Sequence, residues 1–139
     1  PLGWIELLDL VSLLERAREL LPTTLIPRQV GRGTMSATFA RLFGADPASV
    51  APEIVLGAAP TYWPRYHDWG AITVAVEDGR GEVKLDGYSG SPEVCTMVGA
   101  ELERILELTG AGGVAALHTR CACRGDEHCA FDLTWTPPT

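Results

Sequence analysis

The stretch "AITVAVEDGRGEVKLDGYSGSPEVCTMVGAELERILELTG", residues 71–110, decides the fold. Its first eight residues alternate Ile72, Val74 and Val76 against small or polar neighbours, and Val83 and Leu85 alternate with Glu82, Lys84 and Asp86. Alternation with a period of two predicts strands, and "DGRG" between the runs predicts the turn of a β-hairpin. The pattern then changes period. After Ser91 and Pro92, which read as a helix start, Val94, Val98, Leu102, Ile105 and Leu106 recur at helical spacing until Gly110 stops the run. Beyond it, "GVAALHTRC" and "HCAFDLTW" read as two further strands joined by "ACRGDE". Strand, strand, long helix, strand, strand predicts an antiparallel sheet of four strands covered by a helix.

Upstream the chain is helical. "WIELLDLVSLLERARELL", residues 4–21, places Leu7, Leu10, Val11, Leu14, Ala17 and Leu21 at steps of three and four, the spacing of an amphipathic helix ended by Pro22. Leu8, Leu13 and Leu20 widen the apolar stripe beyond what one surface helix needs, which predicts a homodimer or another protein partner on that face. Pro27, Gly31 and Gly33 predict a loop, followed by a helix to about Leu42. Asp46 and Pro47 read as the cap and first turn of another helix running through Val55 and Leu56. The fold class is therefore α+β: helices packed on a four-stranded antiparallel sheet, ββαββ after N-terminal helices. We expect one domain over 1–139, with a helical part at 4–69 and the sheet and long helix at 70–136. Pro1, Leu2 and Gly3 read as the remnant of a cleaved tag and carry nothing.

Composition excludes several classes. Of 139 residues 46% are hydrophobic and 21% charged, as in an ordinary globular domain. The net charge of -7, with ten Arg and a single Lys (Lys84) scattered along the chain, repels phosphate backbones, so no nucleic-acid partner is expected. No apolar run is long enough to cross a bilayer, and no leader pattern opens the sequence, so a cytoplasmic location is expected.

Three of four cysteines lie in "HTRCACRGDEHC", and the fourth, Cys95, lies in the first turn of the long helix. With His118 the spacing is C-x22-H-x2-C-x7-C. Thiols from a helix start and a hairpin turn that converge with an imidazole match a common tetrahedral Zn2+ shell: Cys95, His118, Cys121 and Cys129. Spacing alone leaves the fourth ligand open. On a regular strand Cys121 and Cys123 share a face that His118 does not, so His118 coordinates only through a bulge, and Cys123 is its rival. Disulfides and plain burial are the competing uses of these thiols.

The C-terminal half resembles the 4-vinyl reductase domain, a small-molecule-sensing module found alone and in phenol-responsive bacterial activators, with a fold akin to the TRAPP vesicle-tethering subunits. The resemblance covers residues 71–136 and rests on Cys121, Gly125, Asp126, Cys129 and Phe131 in that order, with Cys95 matching a cysteine of the preceding helix. In metal-binding members an acidic residue stands where this chain has His118; zinc accepts either. Gly125 is expected to take a positive φ and Asp126 to bond the turn backbone.

Tyr62, Trp63, Tyr66, His67 and Trp69 crowd the approach to the first strand. They are the candidate lining of a pocket for a hydrophobic or aromatic small molecule, the ligand-facing role falling on Trp69, His67 and Tyr66. No nucleophile elbow or phosphate loop is present in the sequence, so no enzyme is expected. Two non-enzymatic functions follow: a zinc-containing ligand-sensing domain, or a dimeric interaction scaffold with a structural zinc.

Overall fold

A computed structural model describes residues 7–44, 46–88 and 91–139. Trp4, with which the first helix was expected to begin, lies outside them. Strands β1 (Ala71–Glu77) and β2 (Arg80–Asp86) form the expected hairpin, with Ile72 opposite Leu85 and Val74 opposite Val83. Asp78 and Gly79 make its two-residue turn, and the φ of 73° at Gly79 is one a side chain resists. Strands β3 (Gly112–Arg120) and β4 (Cys129–Thr136) complete an antiparallel sheet in the order β1-β2-β4-β3.

Between the two hairpins runs the long helix, Pro92–Glu107, labelled α6 because five helices precede it. Its predicted inner face of Val94, Val98, Leu102, Ile105 and Leu106 is buried, as are Val83, Leu85, Phe131 and Leu133 of the sheet. Burial of side chains of this size contributes about 1.5–3 kcal/mol each, so the α6–sheet layer contributes substantially to stability.

The helical part is α1 (Leu7–Leu20), α2 (Leu25–Gly33), α3 (Met35–Phe43), α4 (Pro52–Gly57) and α5 (Ala59–Tyr66). Two expectations are corrected here. The loop expected around Pro27, Gly31 and Gly33 is helix α2. Pro27 falls in its first turn, where a missing N–H costs nothing, and Gly31 lets α2 approach α6 so closely that a Cβ there would sit 2.2 Å from the Met97 carbonyl oxygen. Ion pairs of 2.6 Å from Arg28 to Glu103 and from Arg32 to Glu107 fasten the same two helices. The helix expected from Asp46 through Leu56 is instead a 3-10 turn at Pro47–Ser49 followed by α4. Val50 and Ala51 are extended between them, because Pro52 disfavours a helical residue before it.

On α1, Leu14 is buried and Leu7, Leu10 and Val11 pack against the core, while Leu8, Leu13 and Leu20 stand in solvent. Among the described residues no helix is long and apolar enough to cross a membrane.

Candidate metal centre and ligand cleft

The sheet and α6 bring Cys95, His118, Cys121 and Cys129 together, with one ligand atom from each lying within 4.8 Å of all the others. Cys95 Sγ and Cys129 Sγ are 3.9 Å apart, far beyond a disulfide bond. They are close to the edge of about 3.8 Å that a tetrahedron of Zn–S bonds near 2.3 Å requires. The three thiols are buried, and burial followed by the neighbouring sulfurs drives the Cys95 thiol well above its usual range. Burial raises Cys129 too, and an N–H from Ala122 to its Sγ, at 3.4 Å, works the other way. Uncharged thiols packed this closely offer one another little; a divalent cation would convert them to bound thiolates.

His118 reaches the cluster because β3 is irregular. His118 pairs with Phe131 and Arg120 with Ala130, which leaves Thr119 as an extra residue in the ladder. That bulge turns a separation of three residues, which on a regular strand means opposite faces, into a shared face. The ring stacks on Phe131, centroids 4.6 Å apart and 11° from parallel, and burial lowers its pKa. Its Nε2 is buried without a hydrogen-bond partner, which is how an imidazole nitrogen reserved for a metal stands. Cys123 lies on the 3-10 turn Ala122–Arg124, half-buried, outside the set of four. His128 also carries a buried Nε2 without a partner and lies outside the set as well.

The turn that carries Cys121 to Cys129 is built as its sequence implies. Gly125 adopts φ 99° and ψ 1°, and Asp126 Oδ2 accepts the backbone N–H of Cys121 at 2.8 Å.

A second feature opens on the other side of α6. A cleft of about 530 Å³ lies between α6 and the α2, α3 and α5 layer, with Ile72 of β1 among its lining. Leu102 and Ile105 of α6 also reach its wall, so the space is bounded by the helical layer, α6 and the start of β1. Tyr66, His67 and Trp69 all line it, joined by Tyr62, Trp63 and Glu101. The rings hold one another. His67 stacks on Trp63 at 3.7 Å between centroids, Trp69 meets both edge-on, and Trp63 Nε1 donates to the Trp69 carbonyl at 3.1 Å. Trp69 also packs against Tyr88, centroids 5.1 Å apart, and Tyr88 interacts in turn with Cys95. The cleft and the thiol cluster are thus separated by one buried ring.

Glu101 was not singled out by sequence reasoning, and it is the most perturbed carboxyl of the cleft. Burial pushes it up to about 8, while the same cause pulls His67 down to about 4. His67 Nε2 and Glu101 Oε2 are 3.9 Å apart.

No protein-family model and no curated protein matches the chain. Solved structures do. An H-NOX protein from Shewanella oneidensis in its Fe(II)NO ligation state superposes with a TM-score of 0.67, at 14% identity over 96% of this chain and 78% of that one. The NMR structure of an H-NOX domain from the same organism in its Fe(II)CO state gives 0.68, at 14% identity over 92% and 74%. Subunit 3 of the trafficking protein particle complex from Naegleria fowleri, covalently bound to palmitic acid, gives 0.56, at 11% identity over 96% and 84%. The fold is TRAPP-like. Its TRAPP-like helices and sheet are shared with the H-NOX domains, and at these identities the likeness shows the fold alone.

Proposed function

We propose that the chain is a non-enzymatic ligand-binding or sensing domain of the 4-vinyl reductase type, in which one zinc ion clamps the β3–β4 hairpin to the start of α6. The observation that carries the reading is the aromatic-lined cleft of about 530 Å³, a size that suits a small organic ligand. Support comes from the neighbours: the H-NOX structures carry Fe(II) with NO or CO, and the Naegleria subunit carries palmitic acid, so the same architecture accommodates bound groups in other proteins. For the metal, the support is the four converging ligand atoms and the unpartnered His118 Nε2. Cys95, His118, Cys121 and Cys129 would hold the ion and close its shell, which suits a structural rather than a catalytic zinc. Reduced thiols fit a cytoplasmic setting.

Native mass spectrometry of protein purified without chelator tests both parts. The expected result is one zinc per chain together with a retained small molecule. A metal-free mass, with all four cysteines alkylated in the folded protein, removes the zinc. A ligand-free mass, with tryptophan fluorescence unmoved by added aromatic compounds, removes the sensor.

A second reading, a dimeric interaction scaffold, is favoured by the solvent-facing leucines of α1: Leu8 is 78%, Leu13 60% and Leu20 67% exposed. The two readings are compatible if the dimer is the form that binds.

A further inference from the structure

The glutamates of α6 show what Glu101 lacks. Glu93 pairs with Arg18, Glu103 with Arg28 and Glu107 with Arg32, each at 2.6 Å, and Glu107 also meets Arg104 at 3.3 Å. Glu101 is as enclosed as these, its side chain 14% exposed, yet among the described residues it has no hydrogen bond and no Arg or Lys partner. Its polar neighbours on the cleft are Tyr62, whose hydroxyl feels the charge of Glu101, and His67, whose Nδ1 lies 3.4 Å from the Trp63 carbonyl and can only donate to it. That fixes the tautomer and leaves Nε2 as a lone pair facing Glu101 across 3.9 Å. A neutral imidazole and a carboxyl at this separation both lie within reach of one atom bearing several N–H groups. Met97, Ile72 and Ile105 supply apolar wall around them, and Tyr66 and Trp69 supply rings. The remaining charged groups on the cleft are Arg41, on α3, and Asp68, both exposed.

Resting on the ligand-binding reading above, we infer that the cleft selects a small organic ammonium ion with an apolar or aromatic body, its nitrogen held between Glu101 and His67 and its body against Tyr66 and Trp69. A buried carboxylate without a cation is costly, and a ligand that brings the cation removes that cost. Aromatic faces add attraction for the same charge. A hydroxyl in the same place can donate only once, brings no charge, and leaves Glu101 protonated without a charge-assisted hydrogen bond. Because burial holds Glu101 largely protonated near neutral pH, binding of the cation expels a proton to solvent.

Calorimetric titration of the whole protein at pH 7.5 with phenethylamine and with 2-phenylethanol, which swaps the ammonium for a hydroxyl, tests this. The amine is expected to bind at least about tenfold tighter, as charge-assisted hydrogen bonds allow. Repeating the amine titration in buffers of different ionisation enthalpy should show proton release. Glu101→Gln should bring the two ligands within about twofold by weakening the amine, and Glu101→Asp, which keeps the carboxyl but shortens the reach, should reduce the preference if the first variant does not fold. An alcohol that binds as tightly as the amine overturns the ammonium inference and leaves the ligand-binding reading standing. Binding of neither, with tryptophan fluorescence unmoved, overturns both.

Discussion

With Glu101 pushed up to about 8 and His67 pulled down to about 4, both groups are uncharged near neutral pH, and each links folding to protons in an opposite sense. Between its ordinary 4.5 and about 8, folded Glu101 keeps a proton that the unfolded chain releases, so stability falls as pH rises through that window. Between about 4 and its ordinary 6.5, folded His67 lacks a proton that the unfolded chain binds, so stability rises with pH there. The two effects offset each other up to about pH 6.5, above which only Glu101 acts. We expect urea unfolding to show stability declining from pH 6.5 to 8, by at most about 1.4 kcal/mol per pH unit, and Glu101→Gln to flatten that decline. A parent protein equally stable across the range would mean that the carboxylate is already ionised in the fold. Sequence reading passed over Glu101 for a physical reason: one glutamate in "ELERILEL" looks like the Arg-paired Glu103 and Glu107 beside it until Tyr62 and His67 are brought to it by the fold. His118 is the converse. Its place in the ligand set was legible from spacing, but the bulge at Thr119 belongs to two strands together, and the pattern of one strand does not contain it.

At the scale of elements, whatever announces itself through periodicity was legible: both hairpins, α6 with its buried face, and the turn at Gly125 and Asp126. What was misread were the breakers. Pro27 and Gly31 have the composition of a loop, but a proline in a first turn is harmless to a helix, and a glycine in mid-helix can be there for what packs on it. Gly31 is the case in point, because the atom its Cβ would meet is the backbone oxygen of Met97, which cannot rotate aside. Gly31→Ala should therefore destabilise the protein by up to about 2 kcal/mol, since overpacking costs about 1–3 kcal/mol and the alanine's gain in helix propensity offsets only about 1 kcal/mol of it. Thermal melting decides the sign. A variant that melts higher than the parent would show that α2 and α6 can part at little cost, against the grip of the Arg28–Glu103 and Arg32–Glu107 pairs.

For the whole molecule, α6 is the shared member: one end carries Cys95 to the thiol cluster, and its middle carries Glu101 and Leu102 to the cleft. The outer layer is less complete. Leu10 of α1 lines the cleft, but Leu13 and Leu20, seven residues and hence two turns apart, lie along one stripe and are more than half exposed, continued past the helix end by Leu21 at 55%. A leucine gains about 1.5–3 kcal/mol on full burial, so a stripe of this kind repeated in two copies supplies enough to hold a pair of helices together, provided the surrounding surfaces also meet. The ions near it do not forbid this, since Arg16 and Glu19 satisfy each other at 2.6 Å within the same helix. We expect light scattering at tens of micromolar to report a dimer, and the double variant Leu13→Glu, Leu20→Glu to report a monomer with unchanged helical circular dichroism, because repulsion between the new charges is confined to the stripe. The cleft offers an independent readout: as α1 contributes Leu10 to its wall, a ligand that binds the parent should bind the monomeric variant more weakly if pairing steadies α1. A parent that is already monomeric, or a dimer indifferent to both glutamates, would place the interface elsewhere and leave these leucines as ordinary exposed surface.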